Sequence, residues 1–468
     1  MPPRAAPDAP APGPTGPAAA ESAPATAPRR EPASRRQALR GAGMLVAAGA
    51  LGSGVLATRL SSASSTDPRT VIPLWSGTVA YDTGERRALV GGRGQQFAVE
   101  PGTRLASALP ATSSVRARAA RFEERAQDWR EHLAGTDAGS EPLRDLAGSA
   151  LADLWVLGDQ LPAPVAGWSS SWRYIWPRDA AFCAVALARV GHLERAVSAL
   201  THLQSLQGED GWFEARYMPD TGRAPDGRPR QFDGTGLTLW ACSEVVDAAE
   251  GAEREALLDR FALLITRSLS ALHANTRGGT VLPPVSPDYW EVRERTVTLG
   301  IMASTLTGLR AGARLTGVAS AQEAAETFTV LLEGTFGRAG YQRHRGGGGA
   351  DSALAFFDAT GCHDVIAPQQ LLALRRELAQ PGGGIAPGAA WRQDGVSWTP
   401  STSLLGLALA RAGETAAAVE VLTWLAGHRT EAGSLPEKVL FDGRPAAVAP
   451  LAWTAANVLL TIDELARG

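Results

Sequence analysis

From about residue 114 onward, apolar residues recur at i, i+3 and i+4 spacing in one segment after another, and Gly or Pro breaks separate the segments. The spacing predicts helices over 114–134, 142–158, 179–190, 193–206, 234–249, 252–273, 296–316, 319–334, 366–379, 401–412, 414–427 and 450–466. Their connections alternate between short and long. Paired helices in this number are what an all-α (α/α)6 barrel, or toroid, needs, with inner and outer rings alternating along the chain. A helical repeat solenoid would show a fixed sequence period, and none is present. Residues 64–113 are instead rich in Gly, Ser, Thr and β-formers, such as Thr78-Val79-Ala80-Tyr81 and Gln96-Phe97-Ala98-Val99. They predict a hairpin or two as a β-rich lead-in, too small for an independent domain.

The chain has 468 residues, enough for a large core, and its net charge of −3 gives no electrostatic reason to propose a nucleic-acid partner. Cys183 and Cys242 lie in apolar helical runs and read as small buried hydrophobes, whereas Cys362 falls in a loop. No CxxC pair is present, and the 7 histidines show no metal-ligand spacing, which argues against a zinc centre; no bound organic cofactor is implied.

The N-terminal part reads as an address. Residues 1–33 are mostly Pro, Ala, Gly, Ser and Thr, a composition that cannot offset its ordering entropy and predicts disorder. The segment 34–63 places the twin arginine Arg35-Arg36 ahead of a Gly/Ala-rich apolar run, Gly43–Ala57, with Ser61-Ser62-Ala63 as a small-residue cleavage site. As a helix that run would span about 22 Å, short of the roughly 30 Å hydrocarbon core. It resembles a Tat export signal, and a permanent membrane anchor is the weaker reading. The expected location is secreted or extracytoplasmic, and 114–468 is left as the catalytic domain.

Chemistry-bearing residues gather at a few helix entries. Trp172-Arg173-Tyr174-Ile175-Trp176-Pro177-Arg178-Asp179 packs three aromatics, Arg178 and Asp179 just ahead of a helix. Aromatic faces stack on the C–H face of a sugar, while a planar Arg and an Asp fork hydrogen bonds onto hydroxyls. Trp212, Arg216 and Tyr217 in one long connection, followed by Gln231 and Asp233, form a similar set, although Asp233 also stands where an N-cap would. In Pro287-Asp288-Tyr289-Trp290-Glu291-Val292-Arg293-Glu294, a stretch expected to open a helix, Glu291 sits beside two aromatics. Lost solvation there would keep its carboxyl protonated, as a general acid requires. Glu437, in Leu435-Pro436-Glu437-Lys438-Val439, has a lysine neighbour and no apolar cage in sequence, so it is expected to stay ionised and fit to be a base.

Together these stretches resemble the glucoamylase-type glycoside hydrolases (family fifteen) in their bacterial form. The resemblance rests on Tyr174–Asp179, on Arg230–Gly234 leading to Trp240, on Tyr289–Arg293, and on Leu435–Val439 with Pro450–Trp453, in the family's order. It implies an (α/α)6 barrel and inverting hydrolysis of α-glucosides from the non-reducing end. Glu291 would be the acid and Glu437 the base that activates water, the two carboxyls standing about 6.5–9.5 Å apart to leave room for it. Arg178 and Asp179 would grip the terminal sugar, with Tyr174 and Trp176 as walls and Trp290, Arg293 and Trp453 alongside. Val292 stands where fungal members carry a second acid, and Trp172 where many members carry a tyrosine. The expected partner is an oligosaccharide or polysaccharide. Isomalto-oligosaccharides, dextran or trehalose are the close alternatives, and a non-catalytic carbohydrate-binding envelope protein is the alternative of another class.

Overall fold

The computed structural model describes residues 71–468. The export signal expected at 34–63 and the disordered segment expected at 1–33 lie outside the described residues. Two helices, α1 (Ser114–Arg125) and α2 (Gln127–Ala134), precede the barrel. Its outer ring consists of α3 (Glu141–Gly158), α5 (Leu193–Leu206), α7 (Gly251–Thr276), α9 (Ala319–Thr335), α11 (Pro368–Glu377) and α13 (Thr415–Gly427). The inner ring consists of α4 (Pro177–Arg189), α6 (Asp233–Asp247), α8 (Leu299–Thr316), α10 (Ala355–Ala359), α12 (Thr399–Arg411) and α14 (Ala452–Arg467). Each inner helix packs on the next, and α14 packs back on α4 to close an (α/α)6 barrel.

Composition separates most helices by ring, the outer α3 being the exception, with every residue from Ser149 to Gly158 buried. The outer α5 buries only Ala196, Ala199, Leu200 and Leu203, one stripe at helical spacing, and α13 does the same with Ala418, Val421, Leu422 and Leu425. Inner helices are buried almost all round: in α6 nearly every residue from Asp233 to Val246 is buried. Small residues make this possible. A Cβ on Gly236 would collide with the Ser304 carbonyl, and one on Gly308 would press on the Gly236 backbone, so α6 and α8 pack backbone to backbone.

The predicted segments fall on helices, with two corrections. The single helix expected over 114–134 is broken at Ala126, whose N–H turns back to the carbonyls of Glu123 and Glu124. It stands outside the barrel, and its place in the twelve is taken by the short α10, which gives too few residues to show a period. All three cysteines are free and buried, Cys362 included.

The lead-in supplies an antiparallel hairpin, β1 (Thr78–Tyr81) with β2 (Arg87–Val90), whose inward residues join the main core. It props the loop that carries Glu437. The Thr78 hydroxyl bonds Ser434 at 2.7 Å, and Ser76 donates to the Ala449 carbonyl at 2.6 Å. A small sheet, β3 (Ser397–Trp398), β4 (Lys438–Val439) and β5 (Pro445–Ala446), ties that loop to the entry of α12, with Trp398 directly opposite Lys438.

Candidate active site

The functional side chains meet because the N-terminal ends of inner helices face one end of the barrel. Trp176 caps α4, Pro177 takes the first position where its missing N–H is harmless, and Arg178 and Asp179 fill the first turn. The loop before α8 brings Tyr289, Trp290 and Glu291, the entry of α12 brings Trp398, Pro400 and Ser401, and the start of α14 brings Trp453. These residues, with Glu437, line a cavity of about 460 Å³. Six of the chain's 13 tryptophans line it: Trp172, Trp176, Trp290, Trp391, Trp398 and Trp453.

Glu291 sits in an unusual turn. Its φ is +57°, the left-handed region that costs an L-residue about 1 kcal/mol or more. Asp288, fully buried, holds the turn: it accepts from the Trp290 N–H at 3.0 Å and the Thr298 hydroxyl at 2.7 Å, and Arg343 donates to it at 3.1 Å. The Glu291 N–H donates to the Asp288 carbonyl at 2.9 Å. The expectation that Glu291 opens a helix is therefore corrected, since α8 begins only at Leu299, capped by Thr298. The expected apolar cage is also replaced by polar partners. Oε1 of Glu291 accepts from Arg178 at 3.0 Å and from Gln231 at 2.8 Å, and Oε2 accepts from Arg228 at 3.1 Å.

Glu437 departs from expectation in the opposite sense. Its side chain is only 9% exposed, and burial pushes its carboxyl above the usual carboxylate range, while the Lys438 ammonium 3.5 Å away pulls it back. Its loop is pinned at the backbone: the Glu437 N–H donates to the Val448 carbonyl at 2.8 Å, and its carbonyl accepts from the Thr399 N–H at 3.0 Å. Behind it, Asp153 accepts from the Leu435 N–H at 3.0 Å and the Ser434 hydroxyl at 2.7 Å, and is itself paired with the fully buried Arg104 at 2.6 Å.

Arg178 gathers three carboxylates. It donates to Asp233 at 2.7 Å and to Glu291 at 3.0 Å, and its Nε lies 3.5 Å from Asp179. Burial raises Asp179 to about 7 against the pull of Arg178, and Asp233 to about 6. Asp233 is the first residue of α6 and makes no capping bond, so its side chain serves Arg178 instead. Gln231 does likewise, at 3.3 Å from Arg178.

Of the residues singled out in the sequence, Trp172, Trp176, Arg178, Asp179, Arg216, Trp290, Glu291, Glu437 and Trp453 line the cavity. Tyr174, Trp212, Tyr217, Gln231, Asp233 and Arg293 do not. Tyr174 supports Arg216, whose guanidinium lies 4.2 Å from its ring. Trp212 packs on Phe232, the Tyr217 hydroxyl donates to the Leu206 carbonyl, and Arg293 is exposed on the surface. Sequence reasoning missed Arg228, Trp391, Arg392, Trp398, Ser401 and Lys438. The aromatic pair in Trp391–Trp398, inside a Gly/Pro-rich stretch, was the available signal for two of them. Among the described residues no three His, Cys, Asp or Glu are placed to hold a metal ion.

Several buried polar atoms of the cavity residues have no hydrogen-bond partner among the described residues: Asp179 Oδ1 and Arg178 Nε, which lie 3.5 Å from each other, Glu437 Oε2, and the indole nitrogens of Trp290, Trp391, Trp398 and Trp453. Buried polar atoms are rarely left in this state without a ligand or water to meet them.

The fold has solved counterparts. A wild-type glycosidase superposes with a TM-score of 0.58 at 24% identity, covering 69% of this chain and 97% of its own. The fold is that of glycosidases. A bacterial glucoamylase complexed with acarbose matches with a TM-score of 0.55 at 16% identity over 70% of this chain and 56% of its own. A GH63 mannosylglycerate hydrolase from Thermus thermophilus, in complex with glucose, gives 0.51 at 16% identity over 67% and 99%. No family model matches the sequence, and no curated protein matches it.

Proposed function

We propose that this chain is an inverting glycoside hydrolase that releases glucose from the non-reducing end of α-glucosides. The observation that carries the reading is two carboxylates, Glu291 and Glu437, brought from separate loops to one tryptophan-lined cavity whose buried polar atoms await partners. Stacked indoles suit the C–H face of a sugar, and the free Asp179 Oδ1 and indole N–H groups suit its hydroxyls.

In this reading Glu437 takes a proton from water as the water oxygen bonds to the anomeric carbon. The bond from that carbon to the leaving oxygen breaks, and the leaving oxygen takes its proton from Glu291. Glu437 ends protonated and Glu291 ionised, and solvent restores both. A proton on Glu291 needs a free carboxyl oxygen, so Arg228 must withdraw from Oε2 in the working complex. Arg178, bonded to Oε1 and beside Asp179, couples the seat of the terminal sugar to the acid. Export through the twin-arginine segment belongs to the same proposal, as does the choice of α-1,4 linkage over isomalto-oligosaccharide, dextran or trehalose.

The test is proton NMR of the purified protein with maltotriose, isomaltotriose and trehalose, following the anomeric signal of released sugar. Early β-glucose from one substrate is the expected result and names the linkage. Release of glucose without early β-anomer would overturn inversion (trehalose yields one α-glucose as its leaving group in either case), and no release from any of the three would overturn α-glucosidase activity.

A further inference from the structure

Of the 45 basic residues in the chain, 44 are arginine, and the one lysine is Lys438. Wherever positive charge alone is needed, this chain uses a guanidinium. Its single ammonium lies in the cavity, next in sequence to Glu437, on a side chain only 14% exposed. Two contacts fix it. Lys438 stands opposite Trp398 in the β3–β4 ladder, and its Nζ lies 4.2 Å from the centre of that indole ring. On its other side, Nζ is 3.5 Å from Glu437 Oε2, the oxygen that has no hydrogen-bond partner among the described residues.

An ammonium is a compact point charge, whereas a guanidinium is a broad plane that bonds carboxylates in bidentate fashion. At position 438 the larger group would bond both carboxylate oxygens or protrude into the space that a water needs. Lysine gives the charge and leaves the oxygens open. The other charged groups lining the cavity are Arg178, Asp179, Arg216, Arg228, Glu291 and Arg392. Arg178 and Arg228 are engaged by Glu291, and Arg216 by Asp226 at 2.6 Å. Trp172 and Trp398, which also line the cavity, bring no charge.

We propose that Lys438 is a positioning residue, its ammonium held between the Trp398 ring and Glu437 so that a deeply buried carboxylate stays ionised and open to water. The inference rests on the reading of Glu437 as general base and assigns that base its counter-charge.

The experiment is a carbon-13 NMR titration of the full-length protein labelled at the glutamate carboxyl carbons. The Glu437 signal is identified by its loss in Glu437→Gln. Lys438→Met is expected to raise the pH at which Glu437 titrates by about one unit or more, with Lys438→Gln as the second neutral variant should the first fail to fold. Lys438→Arg should leave that titration near its original place yet lower kcat with little change in KM. In the hydrolysis assay, the acidic limb of kcat/KM should move upward in the neutral variants by the same amount. A Glu437 titration unmoved in both neutral variants overturns the proposal, as does full kcat in Lys438→Arg. If Glu437→Gln keeps its hydrolytic activity, the base assignment fails instead, and the NMR titration still decides whether Lys438 controls the carboxyl.

Discussion

The two loops that carry Glu291 and Glu437 solve one problem, the fixing of a carboxylate in a cavity, by opposite means. The Glu291 loop uses charge: two guanidiniums and an amide occupy its oxygens, and the side chain remains 25% exposed. The Glu437 loop uses burial: a pinned backbone, one ammonium at 3.5 Å and one oxygen left open. The first arrangement is adjustable, because an exposed arginine can swing away. The second is rigid, because its supports are main-chain bonds and a small sheet. An acid that must load and unload a proton at the leaving oxygen suits the first, and a base that must hold one water in line suits the second.

The sharpest break in this comparison is to remove either charge. Glu291→Gln and Glu437→Gln should each lower kcat about 10²–10⁴-fold with the fold intact, checked by steady-state kinetics and circular dichroism. Next comes the support behind the rigid loop. Asp153→Ala leaves Arg104 buried without its carboxylate and should cost about 3–5 kcal/mol in urea unfolding. Asp288→Ala should remove comparable support from the adjustable loop, by stranding Arg343, but Arg343 keeps Asp351 at 2.8 Å, so the loss should be smaller.

A third test uses pH. Burial raises Asp179 from 3.8 to about 7, so between those values the folded protein holds a proton that the unfolded chain has released. The Asp179 contribution to stability therefore falls as pH rises through that window. Asp179→Asn should flatten that part of the urea midpoint against pH, and an unchanged slope would refute the assignment. The smallest effect belongs to Arg228, whose side chain is 40% exposed: Arg228→Gln should change stability by less than about 1 kcal/mol.

Much of the barrel was legible because helical periodicity is local. Outer helices other than α3 announce themselves by one apolar stripe, and the inner ones by runs of Ala, Gly, Ser and Leu. The helix α10 was not legible, since Ala355–Ala359 is shorter than two turns. The cavity was legible where its chemistry lies within one motif, as in Trp176-Pro177-Arg178-Asp179. It was misread where the environment of a group comes from elsewhere in the chain. Glu437 has no aromatic within three residues, yet it lines the cavity together with Trp172 and Trp398. Glu291 has two aromatics beside it in sequence, yet its carboxyl turns toward Arg178 and Arg228, which lie 113 and 63 residues away. Adjacency in sequence says little about which face of a turn a side chain takes.

The closure of the inner ring through α14 on α4 also sets an order of events. The hydrogen bond from Ser76 to Ala449 spans 373 residues, and Trp453 reaches the cavity from the sixth inner helix. Contacts across such a separation form late, because the intervening chain must be gathered first. A chain made only as far as the fifth inner helix carries Glu291 and Arg178 but lacks Glu437, the Trp453 wall and the Ala449 tether. On the reading proposed above, the cavity is therefore complete only once the last inner helix is in place.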